Sequence, residues 1–413
     1  MKKRVVVTGM GAVTPVGNSV EEFWEALKSG KSGIDRVTRF DPADFTTQIA
    51  GEVKNFDHSN YIDKKEARRM DKAEHYSIVS SQQAYDDAKL SSDSFDAYRA
   101  GVIIGSGIGG IETLEKQISI LSEKGPSRVS PFFIPMMIID MSAGLVSIRF
   151  GCKGPNYATV SACATSVHAI GDAFKIIQRG DADIMIAGGT EATITPSALA
   201  GFCSARAIST RNDEPQRASR PFDKERDGFV MSEGSGIVIL ESLEHAQKRG
   251  VKIYAEIVGL GMSGDAYHIT APSPEGGGAA RSMILALKDG DLSPDSVDYI
   301  NSHGTATELG DIAETIAIKK VFGKRAYHIP VNATKSMVGH LLGAAGAVEL
   351  IAAIKSMEEG VLHPTINYEF PDPRCDLDYV PNKLKEKEIN VFISNSFGFG
   401  GHNITIAVKK FME

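Results

Sequence analysis

Cysteine is scarce in this 413-residue chain: there are four, Cys152, Cys163, Cys203 and Cys375, and none stands in a CxxC pair. Their scattered placement argues against a zinc site and against a disulfide framework, and the usage fits a reducing cytoplasm. An excess of positive charge is also missing. The formal net charge is −7, which excludes wholesale nucleic-acid binding and leaves room only for a local basic patch. There is no run of about 18 apolar residues, so no membrane-spanning helix is expected. The basic start MKKR is followed only by Val5 to Val7 before Thr8 and Gly9, too short an apolar stretch for a secretory signal. The expectation is a soluble cytoplasmic protein of ordinary globular composition, 42% apolar and 23% charged. Its length allows one two-lobed domain or two domains.

Gly9-Met10-Gly11, after a strand-like run, invites a dinucleotide-binding reading. That fingerprint needs a third glycine opening a helix and an acidic residue closing a second strand. Here Pro15 and Gly17 prolong the loop, and the region around Asp35 is not strand-like. A nucleotide site is therefore rejected. Beyond it, strand-like and helix-like runs alternate, as in AGVIIGSGIGG, ADIMIAGGTEA and GSGIVILESLEHAQKRG. The alternation predicts α/β layering. The plan also repeats. KRVVVTGMGAVTP resembles KIYAEIVGLGMSG, TVSACATSVHAIGDAF resembles NATKSMVGHLLGAAGAVELIAAI, and ADIMIAGGTEA resembles NVFISNSFGFGGHN. Two similar halves are expected, residues 1–250 and 251–413, with their strand ends facing one cleft.

Cys163 stands where Thr159-Val160-Ser161-Ala162 gives way to a helical pattern, between two alanines. Unpaired N–H groups and the positive end of a helix favour a thiolate there, and the same N–H groups can bind an oxyanion. A buried structural cysteine is the alternative. His303, in VDYINSHGTATELGD, and His340, in TKSMVGHLLGAAG, both lie just past strand-like runs, where α/β folds keep their ligand sites. Each can donate a hydrogen bond or exchange a proton near neutrality, or serve only in packing. His168, five residues past Cys163, is turned away from it and is assigned to a helix hydrogen bond, while His58, His245 and His328 are assigned to the surface. A lysine buried beside such a site needs a carboxylate, and Lys335 and Glu349 bracket His340. Asp311 and Glu314, spaced by three after His303, are either supporting groups or helix N-terminal charges alone. SNSFGFGGHN sets Phe397 and Phe399 between glycines, as a gate or as a tight turn.

SACATS at Cys163, NSHGTAT at His303, TKSMVGHLLGAAG at Lys335 and His340, and NSFGFGG resemble the β-ketoacyl-[acyl carrier protein] synthases, and among them the type II synthases of fatty-acid synthesis. The resemblance covers essentially the whole chain. It implies a thiolase-like fold, two pseudo-repeated halves in a five-layer αβαβα sandwich, and a homodimer. It implies that Cys163 takes the acyl group and that His303 and His340 serve the decarboxylation of malonyl-[acyl carrier protein]. The N–H groups of Cys163 and Phe399 would hold the oxyanion. Lys335 and Glu349 would maintain the histidine environment, Thr305 and Thr307 would contact a pantetheine arm, and Ile108, Phe202 and Phe399 would line or gate an acyl tunnel.

No organic cofactor or catalytic metal is implied, since decarboxylation makes the carbanion. Asn301, Glu349, Ser394 and Asn395 would hold a structural Na+ or K+. The partner that the resemblance implies is an acidic acyl carrier protein carrying acyl and malonyl groups, which would give Lys65, Arg68 and Arg69 in DKKEARRMDK, with Arg128 and Arg206, a docking role, or else only a solvated helix face. Val338 and Glu308 depart from residues common in the family and bear on fine specificity. The rival readings are a polyketide-type ketosynthase, a degradative thiolase, which would need a second catalytic cysteine, and a non-catalytic partner subunit lacking the nucleophile.

Overall fold

The apolar strand-like runs assemble, in a computed structural model that describes residues 2–412, into one ten-stranded sheet. In chain order the strands are β1 (Val5–Val13), β2 (Ala100–Gly105), β3 (Asn156–Tyr157), β4 (Ile184–Glu191) and β5 (Gly234–Ser242). They continue as β6 (Ala255–Gly264), β7 (Tyr299–Asn301), β8 (Val331–Asn332), β9 (Val391–Gly398) and β10 (His402–Lys409). Across the sheet they run 3-2-4-5-1-6-10-9-7-8. Adding five to any strand of the first set gives its counterpart on the other side. The two sets meet at a short seam where Val5, Val6 and Val7 pair antiparallel with Ile257, Glu256 and Ala255. β1, β2, β4 and β5 are buried at every residue, as strands covered on both faces must be.

Six helices provide that cover: α1 (Lys72–Asp87), α2 (Met141–Phe150), α3 (Thr165–Arg179), α4 (Gly277–Asp289), α5 (Glu308–Phe322) and α6 (Ala345–Glu359). α1 and α2 pack outside the first five strands, and α4 and α5 outside the second five. α3 and α6 lie between the sets and touch strands of both, which completes the αβαβα order. α6 is buried at every residue from Ala345 to Ile354, which its small and apolar composition permits. The largest core cluster joins α3 and α6 to β1, β4, β5, β6, β9 and β10.

The Gly9-Met10-Gly11 motif lies inside β1 and serves helix packing. A Cβ at Gly9 would fall 2.2 Å from the Ala84 carbonyl of α1, and one at Gly11 would fall 1.9 Å from that of Ser80. Gly259 and Gly261 of β6 stand in the same relation to α4, at 2.1 Å from Ala286 O and 1.9 Å from Ser282 O. Each half also enters its central helix through a strained residue. Ala162 (φ +51°) opens the turn into α3, and Leu342 (φ +49°) opens the turn into α6. Non-glycine residues adopt this left-handed conformation only where the surroundings hold them in it.

The strand-like run Val297–Asn301 is a strand only from Tyr299, because the turn Pro294–Ser296 leads into it. Among the described residues, no helix is long and apolar enough to cross a membrane.

Candidate active site

Cys163 lies in the turn Ala162–Ala164 that opens α3 and is 9% exposed. The turn is tightly held. Ser161 N–H donates to Thr165 Oγ1 at 2.8 Å, and His168 Nδ1 lies 2.8 Å from Ser161 Oγ and 3.1 Å from Ala164 O. His168 is thus committed to the turn, as expected. β9 reaches this turn through Gly398, where a Cβ would lie 2.6 Å from Ser161 O and 3.2 Å from Cys163 N. That approach brings the Phe399 N–H onto the sulfur. Burial pushes the Cys163 thiol up to about 12, while the Lys335 charge and the Phe399 N–H pull it back.

His303 follows β7, and α5 fixes its loop. Glu314 accepts the N–H groups of His303 (2.9 Å) and Gly304 (2.8 Å), and Asp311 accepts those of Thr305 (3.1 Å) and Phe222 (2.7 Å). Both carboxylates therefore do more than complement a helix end. His340 is held through its backbone, donating to Val230 O at 2.7 Å and accepting from Ser232 N–H at 3.0 Å. The two imidazoles cross nearly at right angles (83°) with centroids 5.5 Å apart. Phe397 lies at 5.7 Å from His303 and Phe229 at 5.2 Å from His340. Burial, with the nearby Lys335 charge, holds both histidines well below the usual imidazole range. They are neutral at pH 7.

Lys335 donates to the His303 carbonyl at 2.6 Å and to Glu349, with both side chains buried. Its Nζ also lies 3.4 Å from His303 Nδ1. An ammonium carries only donors, so Nδ1 is assigned as the acceptor and the ring proton to Nε2. Burial raises the Glu349 carboxyl to about 7 against the pull of Lys335.

Cys163, His303, His340 and Phe399 line one cavity of about 270 Å³. Ile108, Phe202, Phe229 and Leu342 contribute apolar lining, and Thr305 and Thr307, with hydroxyls 2.9 Å apart, contribute polar lining. Lys335, Glu349 and Asp311 stand behind the wall, and Lys335 reaches the cavity only through His303.

Of the oxygen ligands named from sequence, Asn301 Oδ1 accepts from Ser394 Oγ at 3.0 Å, and Asn395 Oδ1 accepts from Thr405 Oγ1 at 2.9 Å. Glu349 Oε2 is buried without a hydrogen-bond partner. A buried carboxylate oxygen without a donor partner can ligate a hard cation. Among the described residues, no group of three or more His, Cys, Asp or Glu side chains is placed to hold a metal.

Lys65, Arg68 and Arg69 are exposed on and just after the short helix Lys64–Ala67, and Arg69 stacks on Phe132 at 4.5 Å. Arg128 and Arg206 are exposed on separate loops, Arg206 two residues past the helix Pro196–Ser204 that carries Phe202. Two sequence assignments need correction. His58 is half-buried, its ring stacked on that of His75 at 4.5 Å. His245 is half-buried and paired with Glu241 as well as being near the surface, because Glu241 is buried and needs cationic or hydrogen-bonding partners. Glu308, a departure from the family pattern, sits outside the cavity in an exposed ion pair with Arg374.

The sequence reading missed two acids. Asp265 accepts Ser273 N–H (3.0 Å) and Asn403 Nδ2 (2.8 Å), and its own N–H donates to Gly401 O (2.9 Å), tying the cavity loop 265–273 to the glycine loop 398–401. Glu191, at the end of β4, accepts four hydrogen bonds beneath the cavity floor. The GG-x-acid ending of the β4 run was the available signal.

Comparison with known proteins agrees with this geometry. Residues 2–246 match the beta-ketoacyl synthase N-terminal domain and residues 254–369 the corresponding C-terminal domain. The chain is 57% identical over 410 residues to a 3-oxoacyl-[acyl-carrier-protein] synthase 2 of Synechocystis sp., covering 99% of both. It is 56% identical over 409 residues to the synthase 2 of Staphylococcus aureus, again covering 99% of both. Among solved structures it is similar to a beta-ketoacyl synthase from Burkholderia phymatum (37% identity, TM-score 0.93, covering 99% of this chain and 100% of the other). It is also similar to a type II polyketide ketosynthase bound to its acyl-carrier protein and a hexaketide (36%, TM-score 0.93, full coverage of both). With a cysteine and two neutral histidines lining one cavity, and with matches to both domains, the chain belongs to the beta-ketoacyl synthase family.

Proposed function

We propose that this chain is a type II 3-oxoacyl-[acyl carrier protein] synthase of fatty-acid synthesis. The observation that carries the reading is the lining of one cavity by Cys163, His303 and His340, with the Phe399 N–H on the sulfur. The Cys163 sulfur attacks the thioester of an acyl-[acyl carrier protein], a neutral histidine takes the thiol proton, and the N–H groups of Cys163 and Phe399 hold the oxyanion. Collapse expels the carrier thiolate, which takes up a proton, and leaves the acyl group on Cys163. Malonyl-[acyl carrier protein] then enters past Thr305 and Thr307 and loses CO2, while the histidine N–H groups stabilise the enolate oxygen. The enolate carbon attacks the acyl-cysteine carbonyl, the C–S bond breaks, the departing Cys163 thiolate takes up a proton from solvent, and a 3-oxoacyl chain two carbons longer leaves on the carrier. No step calls for a cofactor.

A monovalent cation at Glu349 Oε2, with Asn301, Ser394 and Asn395, would supply charge balance behind the histidines. Ile108 and Phe202 border the acyl chain, and Phe399 gates it. Lys65, Arg68, Arg69, Arg128 and Arg206 receive the acidic carrier. Four unpaired cysteines suit a cytoplasmic setting. The protein acts as a homodimer: β3 ends the sheet with one edge unpaired, Ile148 on the adjoining α2 is 78% exposed, and Val160 just after β3 is 56% exposed.

The identity of 56–57% to fatty-acid synthases against 36% to the polyketide ketosynthase favours the former. Cys375, fully buried in the outer core of the second half, is not a second thiolase cysteine. The decisive experiment incubates the protein with palmitoyl-[acyl carrier protein] and weighs it. A gain of one acyl group, absent in Cys163→Ala, is expected, and no adduct on the wild type would favour a non-catalytic subunit.

A further inference from the structure

Glu191 takes no part in the chemistry above, yet it is fully buried at the cavity floor. Oε1 accepts from Ser106 Oγ at 2.7 Å and Ile108 N–H at 3.2 Å, and Oε2 accepts from Gly107 N–H at 2.8 Å and Gly343 N–H at 2.9 Å. Three of these donors belong to the loop after β2 that carries Ile108 into the cavity. The fourth belongs to the strained turn before α6 that carries Leu342 into it. The contacts leave no slack. A Cβ at Gly107 would lie 2.9 Å from Oε2, and one at Gly343 would lie 2.6 Å from it.

A buried carboxylate is costly unless donors surround it, and here the donors come from two segments that are remote in sequence. Ile108 is 37% exposed, so side-chain packing does not fix it, and its backbone does. We infer that Glu191 is a positioning residue for acyl-chain selection, its carboxylate clamping the Ile108 loop onto the Leu342 turn and so fixing the apolar wall beside Cys163. This rests on the acyl-enzyme reading given under Proposed function. Weakening the clamp lets Ile108 withdraw and admits longer chains.

Glu191→Gln tests it, because the new NH2 group faces two donors in place of an acceptor. Acylation of Cys163 by octanoyl- and palmitoyl-[acyl carrier protein] is followed by intact-protein mass spectrometry, and malonyl decarboxylation is followed on enzyme already acylated. The palmitoyl-to-octanoyl ratio should rise about fivefold or more, the scale of one lost charge-assisted hydrogen bond. Decarboxylation should stay within about threefold of wild type, since the histidine supports are untouched. Ser106→Ala, which removes a single neutral donor, should move the ratio the same way by less. Equal falls in both acylations, or an unchanged ratio, overturn the inference. If Glu191→Gln does not fold, an unchanged ratio in Ser106→Ala overturns it instead. A wild-type protein that accepts neither acyl group sinks the acyl-enzyme reading itself.

Discussion

The Lys335 ammonium donates to the backbone carbonyl of His303 at 2.6 Å and lies 3.4 Å from that residue's Nδ1, so one cation fixes both the position and the tautomer of one ring. Lys335→Met removes this hold and leaves Glu349 buried without its cation. Breaking a buried pair from one side costs about 3–5 kcal/mol, which urea denaturation will report. Malonyl decarboxylation by the acylated variant should fall by about 10²-fold or more, while acylation of Cys163 falls less. Equal losses in both half-reactions would assign Lys335 to folding alone.

His303→Ala and His340→Ala should each accept an acyl group yet release CO2 about 10²- to 10⁴-fold more slowly than wild type. Single-turnover assays with labelled malonyl-[acyl carrier protein] separate the two steps. Normal CO2 release in both variants would remove the histidines from this role.

The pH dependence follows from the depressed imidazole values. Both histidines have folded-state pKa values well below 6.5, so neither gains a proton as pH falls through 6.5. In Glu349→Gln, which removes the carboxyl raised to about 7, decarboxylation by acylated enzyme should stay flat from pH ~8 to pH ~6 and fall only below the ordinary histidine range. A half-titration centred near 6.5 in that variant would show at least one ring to be solvated, whereas one seen only in the wild type belongs to Glu349.

Charge reversal at Lys65, Arg68 and Arg69 should raise KM for acyl-[acyl carrier protein] by about tenfold at low salt, with kcat nearly unchanged. Acyl-pantetheine, which lacks the acidic carrier, should be turned over as by wild type. The difference should shrink as ionic strength rises. Equal KM increases for both substrates would place the residues in the cavity's support and not in docking.

Gly261→Ala should destabilise the protein by about 1–3 kcal/mol or more, since its Cβ would lie 1.9 Å from the Ser282 carbonyl and must push α4 off β6. Gly277→Ala, at the start of the same helix with open space around its Cβ, should be neutral or slightly stabilising. Denaturant midpoints compare the two directly.

The α/β layering was legible because strands buried on both faces read as apolar runs. The members of the cavity were legible through the motifs around Cys163, His303, His340 and Phe399, which carry the family resemblance. The roles of Asp311 and Glu314 were half-legible. Their spacing put them on one helix face, but nothing in it said that the face turns toward the backbone of His303 and Thr305. Glu191 was legible only as the acid closing a GG-x-acid strand end; its role was not, because its partners are mostly backbone N–H groups 83 to 152 residues away, and any residue can supply those. The glycines of β1 were ambiguous for a related reason. Close approach of a helix and close approach of a phosphate ask the same thing of a residue, and only the position of α1 tells them apart.

Ala162 and Leu342 make the same left-handed step into their helices, so Gly343 is the twin of Cys163. In each half, the last residue of a matching strand lies over the other half's turn: Glu191 of β4 over Gly343, and Gly398 of β9 over Cys163. The duplicated scaffold thus moulds two sockets. One is plugged by a carboxylate that takes up its amide, and the other, roofed only by glycine, stays open, so a molecule built twice over has a single working end.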